Sequence, residues 1–178
     1  VSSLVGDIRK LFKDNPGCEG WTNKLLSEMK ASTGFDADTI GQILENFAQT
    51  GTIYTDGSVN GTGSGSAGTG IGGRPGVSLT YGTTTARTAI TLMHEIIHWA
   101  GMPAQGGSYG NYYTDASMAA AWNRLGVTMS VADYRSTYPD VVAAHTKRDG
   151  DDYAESRLAG AANRITCLGE KNGVRTLP

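Results

Sequence analysis

The chain has 178 residues, 39% of them hydrophobic, and a formal net charge of −2. That is enough for one domain with a real core, and the charge balance excludes a polycationic nucleic-acid binder. No run approaches the eighteen or so continuous apolar residues of a spanning helix, so no membrane span is expected.

The first fifty residues read as helical. Leu4, Ile8, Leu11 and Phe12 recur at helical spacing, and Asn15-Pro16-Gly17 is read as the stop. A second helix is expected over about Glu19 to Lys30, with Trp21, Leu25, Leu26 and Met29 inward. A third follows Asp36, with Ile40, Ile43, Leu44 and Phe47 on one face and Gly51 past its end. The character changes after that. Thr52 to Thr55 and Val77 to Tyr81 are short strand candidates, separated by a stretch from Gly57 to Gly76 dominated by Gly, Ser and Thr. This stretch reads as a loop or an irregular edge. It is not a phosphate loop, because no Gly-Lys-Ser/Thr closes it. The strongest helix runs from about Thr84 to Ala100 and stops at Gly101 and Pro103. A Gly/Tyr-rich loop spans Gly106 to Thr114, and a helix is expected from Asp115 to Leu125. A short helix follows Ser130, Tyr138-Pro139 reads as a break, and a last helix is expected from about Asp151 to Ile165.

The expected fold is therefore α+β, mainly helical, in a single domain over 1–178. Residues 1–50 form a helical N-terminal part, 51–82 short strands with a Gly-rich loop, 83–126 the helices of the functional site, and 127–178 a helical C-terminal part. Cys18 and Cys167 lie too far apart for a zinc knuckle. They either close one disulfide between the terminal helices or remain two buried thiols. The disulfide, with a chain rich in Gly, Ser and Thr, favours a secreted or extracytoplasmic protein. The chain opens on Val1 without methionine, as expected of a piece of a longer precursor.

The chemistry is concentrated in His94-Glu95-Ile96-Ile97-His98. Residues four apart on a helix share a face, so His94 and His98 can present two imidazoles to one metal ion. Glu95 flanks that ion without ligating it, where it can take a proton from a water the metal activates. With three His and six Glu in the chain, shuffling would produce this pattern in roughly one chain in a thousand. A helical projection puts Arg87, Thr91, His94, Glu95 and His98 on one arc and apolar residues over the rest. That is a buried helix, polar only along one strip.

Over the run from His94 to Gly101 the chain resembles the zincin superfamily of metallopeptidases. Zincin families differ in their third ligand. The metzincin position falls on Ala104, which excludes that branch, and neither Glu155 nor Glu170 has the short thermolysin spacing. Asp115 stands 17 residues past His98 and points with Met118, Trp122 and Leu125, the apolar face of its helix. A carboxylate directed at the core is expected to be paired or ligating. A helix N-cap is the plainer alternative for Asp115, and His145 is the rival third ligand. With its Gly/Tyr-rich loop before Asp115, the segment resembles the aspzincins, whose sites are His-His-Asp.

The resemblance implies a zinc-dependent hydrolase, a metallo-endopeptidase acting on a protein or peptide substrate. His94, His98 and Asp115 are the implied Zn2+ ligands and Glu95 the general base. Tyr113, ahead of Tyr109 and Tyr112, is the expected phenol donor to the oxyanion. The strand at Val77 to Tyr81 is expected to offer its edge to substrate. The alternatives are a secreted binding or adhesion module with a structural zinc, its fourth position filled by His145 or another side chain, and a toxin-type protease domain cut from a larger protein. A monomer is expected.

Overall fold

The computed structural model describes residues 1–33, 39–61, 63–69, 75–102, 113–149 and 153–170. Three helices lead the chain: α1 (Ser2–Asp14), α2 (Pro16–Thr33) and α3 (Ile40–Thr50). Their inward faces are those the periodicity selects, with Ile8, Leu25, Met29, Ile40 and Phe47 fully buried. α1 stops at Asp14, at the Asn15-Pro16-Gly17 expected to end it, and Pro16 also opens α2, because proline's fixed φ and missing N–H suit a first turn. Thr39 begins α3 in a capping box with Gln42.

Three strands follow, β1 (Ile53–Tyr54), β2 (Ser64–Thr69) and β3 (Pro75–Thr80), in the order β1-β3-β2. β3 pairs parallel with β1 and antiparallel with β2, in a register that sets Ala67 opposite Val77. The expected edge strand at Val77 to Tyr81 is therefore the middle of the sheet. The edges are β1 and β2, and β2 arises inside the Gly/Ser-rich stretch, the second of the two readings, loop or irregular edge, that the stretch allowed. The β2 sequence, SGSAGT, has almost no strand propensity. It is a strand because β3 and the next helix both pack against it.

That helix, α4 (Thr85–Ala100), is the axis of the molecule. It packs on α1, α3, α8, β2 and β3. Leu92, Met93, Ile96 and Ile97 are fully buried, and each such side chain contributes about 1.5–3 kcal/mol. This burial holds the helix in place against the cost of taking its polar strip out of water. Phe47 packs edge-on against Trp99 at 4.9 Å.

The remaining helices are α5 (Asp115–Arg124), α6 (Val131–Thr137), α7 (Pro139–Asp149) and α8 (Tyr153–Leu168). Tyr138-Pro139 is a break between two helices, with Pro139 again in the opening turn. α6 and α7 cover α8 through a smaller core around Tyr134, Leu158 and Ala161. α8 also reaches α2, α4 and α5. A Cys18–Cys167 disulfide joins α2 to α8 across 149 residues of sequence. The result is a mainly helical α+β domain with a small sheet before the central helix. Among the described residues no helix is long and apolar enough to cross a membrane.

Candidate metal centre

Two helices and the turn before one of them build the site. Thr84 caps α4 by accepting from the Arg87 N–H, and the helix carries His94, Glu95 and His98 inward, each less than a tenth exposed. Thr114 caps α5 by accepting from the Ser117 N–H. Asp115 is thus the first residue inside that helix, and the N-cap role weighed for it belongs to its neighbour.

Its carboxylate turns to the histidines instead. Asp115 Oδ1 lies 3.0 Å from His94 Nε2 and 2.9 Å from His98 Nε2, and the two Nε2 atoms are 3.0 Å apart. His98 Nδ1 faces the Tyr113 carbonyl. A carbonyl only accepts, so Nδ1 carries the hydrogen and the neutral ring turns a bare lone pair on Nε2 to the other two atoms. Three electron-rich atoms that close repel one another unless a cation lies among them. The triangle is slightly tighter than the ~3.3 Å between ligands placed 2.0–2.1 Å from a tetrahedral zinc. The donor set fits the ion. Among the described residues His94, His98 and Asp115 form the group able to hold a metal.

No family model matches this chain, and no curated protein or solved structure does either. The site therefore stands on its own geometry: a zincin-type His-Glu-x-x-His helix with an aspartate completing the triangle, the arrangement of a zinc-dependent hydrolase.

The electrostatics agree with that arrangement. Burial opposes the charge on Asp115, but the two imidazoles it touches outweigh it and hold its carboxyl well below the usual range. Burial would also favour neutral His98, yet Asp115 and Glu95 raise its affinity for a proton, as they would for a metal cation. Glu95 is raised chiefly by burial, partly offset by the two histidines and by a hydrogen bond from the Ala67 N–H of β2. It is a carboxylate held by one strand amide and made more basic than usual.

Gly65 makes this contact possible. A Cβ there would stand 2.8 Å from Glu95 Cγ and 2.8 Å from the Ser78 carbonyl. Only a residue without a side chain lets β2 run directly over the glutamate.

Tyr113 is buried, and its ring packs so closely on Gly101 that a Cβ at that glycine would meet it at 2.0 Å. What it brings to the triangle is its carbonyl on His98. Tyr109 and Tyr112 lie outside the described residues. His145 stacks on Tyr153 at 4.4 Å and is not part of the metal-holding group.

Sequence reasoning missed Asn163 of α8. It is fully buried, with its amide nitrogen 3.3 Å from His94 Nδ1 and its Oδ1 lacking a partner. A half-turn of the amide exchanges the two atoms, after which Oδ1 accepts the Nδ1–H and His94 Nε2 is left bare for a metal. The signal was a polar residue amid Ala159, Ala161 and Ala162, on a helix whose partner was unknown.

Proposed function

We propose that the protein is a zinc endopeptidase, in which His94, His98 and Asp115 hold the ion and Glu95 is the general base. The observation that carries this reading is the convergence of Nε2, Nε2 and Oδ1 within 3.0 Å beside a buried glutamate. Two imidazoles and one carboxylate suit zinc better than calcium or magnesium, which favour all-oxygen sites. Bound there, zinc supplies a Lewis acid that acidifies a water and polarises a carbonyl.

The protein does the rest. Glu95, oriented by the Ala67 N–H, takes the proton of the attacking water and passes it to the leaving amine. The basicity it gains by burial brings it closer to a working base near neutral pH. A cavity of about 440 Å³ lies over Glu95, His98 and Asp115 and is bordered by Gly65, Ser66 and Ala67 of β2. An extended peptide lying in it pairs its main chain with the outer edge of β2. An edge binds a passing stretch of chain, which supports internal cleavage. The Cys18–Cys167 bond supports action outside the reducing cytoplasm.

Glu95→Gln tests the assignment. It keeps shape and leaves the three ligands intact, so zinc should stay bound while peptide cleavage falls at least about a hundredfold. Cleavage within about threefold of the unaltered protein would remove Glu95 from the reaction.

A further inference from the structure

A second, smaller cavity of about 210 Å³ adjoins the metal centre on its His94–Glu95 side. It lies below the ~300 Å³ at which pockets for whole ligands begin, a size suited to one side chain or a chain end. His94 and Glu95 line it together with Ser156, Arg157, Asn163 and Arg164 of α8. Arg157 and Arg164 are seven residues apart, two turns along one face. The residue between them on that face is Gly160, where even a Cβ would approach Arg164 Nη1 only to 3.6 Å.

These two cations are under-compensated. Arg164 is nine-tenths buried, and its Nε has no hydrogen-bond partner. The carboxylate near it, Glu170, is shared: Oε1 lies 3.0 Å from Arg87 Nη2, and Oε2 stands 3.5 Å from Arg164 Nε. Arg157 hydrogen-bonds Tyr134 and lies 5.7 Å over the Tyr153 ring, but its Nε and Nη2 are buried without partners. Burial and the Arg157 charge together depress the proton affinity of Arg164, and the shared Glu170 only partly offsets them. Glu95 also faces the cavity, but its carboxylate is engaged by the Ala67 N–H and is one charge against two.

We propose that this cavity receives a carboxylate of the substrate, gripped by Arg157 and Arg164, so that the protein selects peptides carrying negative charge next to the bond it cuts. The planar guanidinium fork matches a carboxylate's two oxygens, and Ser156 adds a hydroxyl donor. The carboxylate is either an acidic side chain or a free C-terminus. The inference rests on the peptidase reading.

The test measures binding and cleavage separately. Zinc-loaded Glu95→Gln protein is titrated with two pairs of alanine-based hexapeptides. One pair, capped at both ends, differs by a central Glu or Gln; the other ends in a free carboxylate or an amide. The charged member of one pair should bind at least about tenfold tighter, as expected of a charge-assisted contact, and which pair does so identifies the source. Arg157→Gln and Arg164→Gln should erase the difference, and Arg164→Lys should restore part of it. Equal binding within both pairs overturns the proposal, and so does a difference that survives both glutamine variants. The comparison on intact arginines does not depend on whether those variants fold. Cleavage by the unaltered protein without charge preference would sink the proposal and spare the peptidase reading. Carboxylate-selective binding with no cleavage of any peptide would sink the peptidase reading and leave the cavity as a carboxylate-binding site alone.

Discussion

Asn163 bears no charge, yet it is placed to set the orientation of the His94 ring. Its amide is the polar group set 3.3 Å from His94 Nδ1, and the orientation of a ligating imidazole is fixed by what its other nitrogen binds. Asn163→Leu keeps the volume and removes the acceptor, so zinc affinity should fall about 10–100-fold. Asn163→Asp keeps an acceptor and should recover most of it. Competition with a chromogenic chelator reads both, and unchanged affinity in Asn163→Leu would leave Asn163 a packing residue. At this scale the sequence was informative where spacing is local. His94 and His98 announce themselves by an interval of four, and Asp115 by facing the core with Met118 and Trp122. Asn163, Arg157 and Arg164 meet the site only through the packing of α8 on α4, and no interval along the chain encodes that.

At the scale of elements, β2 is the piece on which the chemistry leans, and it is the piece composition hides. Ser, Gly and Ala give it neither alternation nor bulk. The reason is the close approach of strand to helix: Gly65 leaves no atom between the backbone and Glu95. Gly65→Val should push the strand from the glutamate and lower kcat about a hundredfold, the size of a lost base contribution. Zinc content should be unaffected, because the ligands sit on α4 and α5. A variant of full activity would show that β2 does not need to touch Glu95. The helices, by contrast, were legible from periodicity and their stops, except α7 (Pro139–Asp149), whose polar, charged sequence carries no apolar stripe to read. Asn15-Pro16 and Tyr138-Pro139 do part successive helices as expected, and the addition is that each proline also opens the helix that follows, α2 and α7.

For the whole molecule, the notable feature is how one helix collects the site and the fold together. α8 packs on α2, α4 and α5, lines the arginine cavity, touches His94 through Asn163, and carries Cys167. The disulfide closes a loop of almost the entire chain, and its loss should cost about 2–5 kcal/mol. The Cys18→Ser, Cys167→Ser double variant should therefore show a clearly lowered Tm by calorimetry. Zinc affinity should weaken with it, since α8 is then less firmly held against His94. A Tm within a degree or so of the unaltered protein would mean the noncovalent packing of α8 is sufficient by itself. Cys18 and Cys167 were legible as a pair, but their reason for pairing lies in the docking of α2 on α8.

The central claim is that His94, His98 and Asp115 hold one zinc ion. Zinc content by elemental analysis, on the unaltered protein and on His94→Ala, Asp115→Ala and His145→Ala, tests it most directly. About one equivalent is expected in the unaltered protein and in His145→Ala, and a large loss in the other two. Less than about half an equivalent, unchanged by His94→Ala, would contradict it, as would a site that empties with His145 and not with Asp115.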